Sequence, residues 1–356
     1  MAENKLTILS PDDKEWDVIF NTLPLEQQDI YYTSSFCRLY QSTIYSNHQV
    51  LCAAMYIDGQ GFMYPFVKRS IGLISGLKEY LDVYDTTGIY GRNGIVCTSN
   101  DRLKIDFFNK EFQRYANNNN IICSFDRFHP IIGNENLMHV SAQVIKNDDF
   151  VFVDLNRSES EIKKSFKHSV RKCIKKSERE GVVCFSEKNF DHIDAFLDIY
   201  IGTMDRNTAE KFYYFSKDFF TRLCEYCPNN FTFFYAAVSG EIVSCELVLH
   251  YGIYSHSFLG GTTSKGMQLC ANSQLKNYII FNMKYLNYGY FLLGGGSTPN
   301  DGIFNYKKSF SKDGVIPSFI GGVFWDLCIL KKLKFDLIES GLPILENRIQ
   351  FYDLTK

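Results

Sequence analysis

No sign of charge dominates this sequence. Its 356 residues carry 38 Lys and Arg against 40 Asp and Glu, so no global field draws the chain to nucleic acid or to an acidic membrane. Any polyanion site must therefore be a local patch. Long apolar runs are missing too. The longest, such as residues 243–249, have the length of a strand, and the first ten residues are polar. The expectation is a protein with no signal peptide and no transmembrane segment, cytoplasmic or peripheral at the inner face of the membrane. Of 11 cysteines only Cys224 and Cys227 form a C-x-x-C pair, with no second pair at zinc spacing and no cluster of His and acids. That pattern argues against a metal. It reads as two half-buried thiols at a helix end, and the scattered thiols fit a reducing compartment. Neither a G-x-S-x-G elbow nor a cysteine-nucleophile context is present, so a covalent enzyme intermediate has no candidate. No close internal repeat is visible.

What is present suits a packed core. Apolar residues make up 45% of the chain and aromatics 16%. Such rings fill cores and also line sites that stack a base or a sugar. Residues 50–56 and 61–67 are strand-like runs around Asp58-Gly59, the signature of a β-hairpin. Residues 105–117 carry Phe108, Phe112 and Tyr115 at helical spacing, and a buried strand follows at 121–125. A polar turn at 146–149 marks a division. Beyond it a helix is expected over 161–180, then helices at 191–204 and 216–227. Three strands follow at 231–238, 241–250 and 253–260, the first two joined by Ser239-Gly240, then a helix at 268–286 and a strand at 290–293. The expected organisation is mixed α/β (α+β): a domain over 1–150, a second over 151–330 and a C-terminal extension over 331–356. Each domain should be a mostly antiparallel twisted sheet flanked by helices, with a cleft between the two.

Three features point to a site. Gly294-Gly295-Gly296-Ser297-Thr298-Pro299-Asn300-Asp301-Gly302 follows a predicted strand, where glycine lets backbone approach a ligand closely. Asp301 there can take a proton, bind a sugar hydroxyl or cap a turn. The helix at 161–180 holds eight cations: Lys163, Lys164, Lys167, Arg171, Lys172, Lys175, Lys176 and Arg179. Its apolar stripe of Ile162, Phe166, Val170, Cys173 and Ile174 faces the core, so the cations fan over the other face. A solvated face and a phosphate partner both fit, and Arg171 and Lys175 are the chosen phosphate contacts. Arg127 and His129 lie just past a strand end, where α/β clefts form. Arg127 is an acceptor anchor, and His129 orders the turn before Pro130. Asp205 either faces the site or pairs with Arg206.

Several stretches resemble the FemAB-like branch of the GNAT acyltransferase superfamily, the peptidoglycan bridge-forming aminoacyltransferase-like proteins. They are Asp29-Ile30-Tyr31-Tyr32-Thr33, Tyr90-Gly91-Arg92-Asn93-Gly94 and Arg127-Phe128-His129-Pro130. The second half adds Ser169-Val170-Arg171-Lys172-Cys173-Ile174-Lys175-Lys176, Thr203-Met204-Asp205-Arg206-Asn207, Leu293-Gly294-Gly295-Gly296 and Tyr306-Lys307-Lys308-Ser309-Phe310. The resemblance implies two GNAT-like domains, the first holding the acceptor and the second the donor and the catalytic loop. It places Tyr306-Lys307 on the family's Phe-Lys pair, whose lysine stabilises the tetrahedral intermediate. It makes Tyr31, Tyr32, Tyr90 and Arg92 cleft-liners. Two departures are visible. No inserted helical arm interrupts the second domain. The usual Q/R-x-x-G-x-G/A loop for the coenzyme pyrophosphate is replaced by Thr262-Thr263-Ser264-Lys265-Gly266-Met267-Gln268.

These readings converge on an acyltransferase that forms an amide. It would move an acyl or aminoacyl group from acyl-CoA or aminoacyl-tRNA, as donor substrate and with no permanently bound cofactor. The acceptor is an amine on a cell-envelope precursor, such as a nucleotide- or lipid-linked amino sugar or a muropeptide. Expected partners are that precursor and tRNA, with no DNA. The alternative is a non-catalytic module of the same fold that binds a phosphate-bearing envelope precursor.

Overall fold

The computed structural model describes residues 2–296, 298, 300–346 and 348–353. Ser297 and Pro299 of the glycine-rich segment lie outside the described residues. The strands are β1 (Thr7–Leu9), β2 (Gln49–Ile57), β3 (Gln60–Ser70), β4 (Tyr84–Thr87), β5 (Val96–Cys97), β6 (Ile121–Arg127), β7 (Gln143–Asp154), β8 (Val183–Glu187), β9 (Phe231–Val238), β10 (Glu241–Tyr251), β11 (Tyr254–Thr262), β12 (Tyr290–Gly294) and β13 (Val315–Phe324). The chain divides into two compact units. One is built from the residues up to Asn147 and those from Ser318 onward, the other from Asp148–Pro317. Each is mixed α/β around a mostly antiparallel sheet. No helix among the described residues is long and apolar enough to cross a membrane.

In the first unit the strand order is β1-β2-β3-β4-β6-β13, with β5 on β3. Only β4 and β6 are parallel. The β2–β3 turn places Asp58 at φ 49° and Gly59 at φ 74°, the left-handed pair that an Asp-Gly hairpin needs. The helix Arg102–Asn118 lays Phe108 and Phe112 on the sheet, with ring contacts to Phe62, Tyr64 and Phe66. The segment from Ser318 onward belongs to this unit. Leu330, Leu333 and Leu337 of the helix Leu327–Glu339, together with Tyr352, pack against Ile71, Leu77, Tyr80, Ile122 and Cys123. Arg69, only 2% exposed, forks onto Asp85 at 3.0 and 2.7 Å and reaches Asp353 at 2.7 Å. Gln350 and Tyr352 also donate to Asp85. The end of the chain is thus locked into this unit by a buried charge network.

The second unit has the order β7-β12-β11-β10-β9-β8, with β11 and β12 parallel and the remaining pairs antiparallel. The expected three-strand meander forms, and its Ser239-Gly240 turn takes φ 50° and 81°. Side chains alternate as a strand requires. Phe234 and Ala236 face a core shared with Val170, Ile174, Leu275 and Ile279, while Phe233 turns the other way onto Phe196 at 5.1 Å. The long helix expected at 161–180 is two helices, Glu159–Ser165 and His168–Arg179. Phe166 and Lys167 between them are extended because the segment around 309–310 competes for their groups. The Lys167 N–H donates to Ser309 O at 2.8 Å, and the Phe166 ring packs edge-on to Phe310. The helix expected at 268–286 forms as Ala271–Tyr285, preceded by a separate short helix, Ser264–Gln268.

Two stability predictions follow from the first unit. Arg69→Ala strands Asp85 and Asp353 in the core and should lower unfolding free energy by about 3–5 kcal/mol, read from urea denaturation. Asp126 is fully buried and accepts from Tyr64 OH at 2.8 Å and Asn93 Nδ2 at 2.5 Å; its second oxygen has no partner. Burial pushes its carboxyl up to about 7. The folded state then holds a proton that the unfolded chain releases near pH ~4. Stability should therefore fall between about pH 4 and pH 7, by up to about 4 kcal/mol. Asp126→Asn should flatten that slope, and an unchanged pH dependence of the urea midpoint would assign it to other groups.

Candidate functional site

The second unit's sheet opens at one point. β11 and β12 pair only through Tyr254↔Tyr290, Ser255↔Phe291 and His256↔Leu292. Past that point β11 runs on to Thr262, paired with β10 as its strand neighbour, while β12 shifts register and ends at Gly294. The carboxyl ends of two parallel strands thus form a fork, the usual place for a ligand in an open α/β sheet. Residues turn half-exposed on both prongs: Ser257, Phe258, Gly260 and Gly261 on β11, and Gly294, Gly295 and Gly296 at the end of β12.

Lys307 comes back to this point. Asp301 caps the helix Gly302–Lys308, its Oδ1 accepting from Phe304 N–H at 2.7 Å and its Oδ2 from Thr298 N–H at 3.1 Å. The last turn of that helix carries Lys307, whose Nζ donates to Gly295 O at 2.7 Å. Two of the glycines are required by this packing. Gly294 sits at φ 92°, and a Cβ there would lie 3.0 Å from Lys307 Nζ. A Cβ on Gly296 would lie 2.5 Å from Asp301 Oδ1. Glycine loop, capping carboxylate and ammonium therefore form one construction. Tyr306 belongs to its foundations. It donates to Asn272 O at 3.1 Å, packs edge-on to Phe310 and lies partly buried against the core, where desolvation raises its hydroxyl above the ordinary range.

Beneath the fork lies a buried ion pair that the reading of the sequence missed. Lys276 Nζ donates to both oxygens of Glu246 at 2.5 Å and to Ser257 Oγ at 2.8 Å, 5.4 Å from the Phe291 ring centroid. The two residues are 5% and 8% exposed. Burial pulls the ammonium below its usual range, and Glu246 opposes the shift. Ser257 is the first β11 residue past the paired stretch, so the charge sits where the strands part. The signal was available. Lys276 interrupts the inward apolar face of its helix, and Glu246 interrupts an apolar strand.

The other expected residues of this unit are placed as follows. Arg171 spends one guanidinium nitrogen on Phe166 O, at 2.6 Å, and Lys175 is exposed. Asp205 and Arg206 do not pair. Asp205 accepts from Tyr214 OH at 2.8 Å, while Arg206 donates to Thr262 O at 2.8 Å and holds the end of β11. At 262–268, Thr263 caps its own five-residue helix, its Oγ1 accepting the Gly266 N–H at 3.0 Å. A Cβ at Gly266 would come 2.3 Å from Val243 O. The cap thus takes the Gly266 amide, one of those at the start of this short helix. Cys224 and Cys227 form no disulfide with each other, and burial pushes the Cys224 thiol up to about 12, away from a reactive thiolate.

The first unit holds a second set. Tyr32 is fully buried between Asn93 O and Asn134 Nδ2. Tyr31 is buried with its ring against Gly91, where a Cβ would come within 2.0 Å. Arg92 donates to Phe128 O and Ser318 Oγ, and burial lowers it to about 10. Tyr90 is half-buried, and Arg127 is exposed over the Phe125 ring. His129 Nδ1 accepts from the N–H groups of Ile131 and Ile132, which leaves Nε2–H for Asp29 at 3.1 Å. That bonding makes His129 the organiser of its turn.

Residues 164–308, a stretch within the second unit, match the family described as Acetyltransferase (GNAT) domain. A search of curated proteins finds no match. Among solved structures, FemX superposes with a TM-score of 0.68 at 10% identity, covering 94% of this chain and 100% of FemX. The C-terminal domain of a protein assigned as lysylphosphatidylglycerol synthetase from Agrobacterium fabrum gives 0.55 at 12% identity, covering 90% of this chain and 94% of its own. L-PGS from Bacillus licheniformis gives 0.54 at 13%, covering 91% and 96%. These likenesses establish a shared fold.

The cap geometry separates two roles for Asp301. Asn also caps helices, so Asp301→Asn should keep most of the chain's activity, while Asp301→Ala should cost about 1 kcal/mol of stability and loosen the loop. A hundredfold rate loss in the Asn variant, with an unchanged melting temperature, would make Asp301 a proton acceptor instead.

Proposed function

From the premise of a GNAT domain at residues 164–308, we propose that this chain is an acyltransferase that forms an amide on a cell-envelope precursor. The acceptor amine belongs to a nucleotide- or lipid-linked amino sugar or to a muropeptide. Its nitrogen attacks the carbonyl carbon of an activated acyl ester or thioester, a C–N bond forms, and the C–O or C–S bond to the carrier breaks. The amine proton leaves with the departing alkoxide or thiolate. Positioning and charge stabilisation are what the protein must supply.

The observation that carries the reading is Lys307, an ammonium pinned to Gly295 O at the mouth of the fork. A compact cation fixed there stabilises the oxyanion of the tetrahedral intermediate with little reorganisation. Asp301 and Tyr306 act by holding the helix that carries it, and Gly294, Gly295 and Gly296 let the backbone come close. Tyr31, Tyr32, Tyr90, Arg92 and Arg127 are the acceptor-side residues in this reading, and Arg171, Lys175 and Asp205 the donor-side ones. As donor, aminoacyl-tRNA fits better than acyl-CoA. The self-capped turn at Thr263 supports that preference, as does the fold shared with two lysylphosphatidylglycerol synthetases, whose name describes joining lysine to a lipid headgroup.

Transfer is measured with charged tRNA and with acetyl-CoA as donors, against nucleotide- and lipid-linked amino sugars. Lys307→Ala should lower kcat by about 10²–10³, with KM within a few-fold and the melting temperature unchanged. Normal turnover in that variant removes Lys307 from the chemistry. Free coenzyme A should give no thermal shift, and a clear rise would make the donor a thioester. No transfer with either donor, together with stabilisation by an acceptor alone, would make the chain a binding module.

A further inference from the structure

We infer that the basic ridge of the helices Glu159–Ser165 and His168–Arg179 is a docking surface for an anionic lipid bilayer. Between Lys163 and Lys176 the sequence contains no carboxylate, and Lys163, Lys164, Lys167, Arg171, Lys172 and Lys175 are all exposed. Lys163 pairs with Glu159 at 3.2 Å, whereas Lys164, Lys167, Lys172, Lys175 and Arg179 have no carboxylate partner among the described residues. Acids return only at the ends, as Glu159, Glu161, Glu178 and Glu180. In a chain of net charge −2 this is a strong local concentration of positive charge.

Three observations favour a bilayer over a nucleic acid. First, the ridge offers no run of rings on which successive bases could stack: of its two ring residues Phe166 is 3% exposed, and His168 stands alone as an exposed one. Second, Arg171 spends one side of its guanidinium fork on Phe166 O, so most of what remains is lysine. Lysines are point charges that suit a diffuse sheet of headgroups better than a directed phosphate grip. Third, exposed apolar side chains bracket the ridge. The helix Ala271–Tyr285 runs antiparallel beside it. Lys176 Nζ bonds Gln268 O at one end, and Lys163 lies 4.8 Å from the Phe281 ring centroid at the other. Met267, 44% exposed, therefore flanks one end, and Tyr285 and Leu286, 83% and 46% exposed, flank the other. Cations along a helical face with Tyr, Leu and Met at its margins are the pattern of a helix lying in the headgroup plane.

Vesicle flotation tests this without donor or acceptor, so its outcome is independent of the transfer reading. Wild-type protein should float with phosphatidylcholine vesicles containing phosphatidylglycerol, not with phosphatidylcholine alone, and salt should release it. The triple variant K164E/K167E/K172E should lose at least roughly 100-fold in partition, at about one kcal/mol per cation. Y285S/L286S should weaken partition at every salt concentration. Equal partition onto both vesicle types, or onto neither, overturns the proposal. So does wild-type binding to tRNA that is tighter than to vesicles and lost in the same triple variant, since the occupant is then a nucleic acid.

Discussion

The second unit depends on an ion pair that is expensive to bury. Taking Lys276 and Glu246 out of water costs several kcal/mol per ion after relaxation, and only close, fully bonded contact recovers it. The geometry meets that demand: both carboxylate oxygens face the ammonium, and its third proton goes to Ser257 Oγ. An apolar pair of equal volume would hold helix and sheet together as well. It would not define one position, because apolar contacts slide and bidentate ones do not. Since Ser257 marks where β11 leaves β12, fixing Lys276 fixes the fork, and with it the approach of Gly294 and Lys307.

A second buried charge network does comparable work in the first unit, for topology. Residues 350–353 are remote in sequence from Arg69 and Asp85, yet they supply an amide, a phenol and a carboxylate to that pair. A chain end satisfied in this way cannot act as a loose extension. It explains why the helix Leu327–Glu339 packs on the first unit although it follows the second in the chain.

What could be read from the sequence was what local chemistry determines. Asp58-Gly59 and Ser239-Gly240 announce hairpins because left-handed turns need such residues, and both turns have that geometry. Phe108 and Phe112 at helical spacing announce a helix face, and both rings lie on the sheet. The glycine run and the neighbouring Lys307 were legible as a loop and a cation that share a place. What failed was non-local. The break at Phe166 and Lys167 is dictated by Ser309 and Phe310, more than a hundred residues away, and no helix propensity reports it. The Lys276–Glu246 pair joins a helix to a strand, so neither sequence window names the partner. Tyr306 and Lys307 are adjacent in sequence with opposite fates, one against the core and one at the fork.

That last contrast explains why the cation sits where it does. The helix Gly302–Lys308 is only two turns long, and its Phe304 amide is taken by Asp301. Its carbonyl end is the electronegative end, and Lys307 lies in that last turn, bonded to the carbonyl of Gly295. Backbone dipoles from two directions thus converge on the amine. Asp301 serves the same end by being the helix cap. Its carboxylate accepts from the N–H of Phe304 in the helix and of Thr298 in the loop, and that capping positions the turn that carries the ammonium.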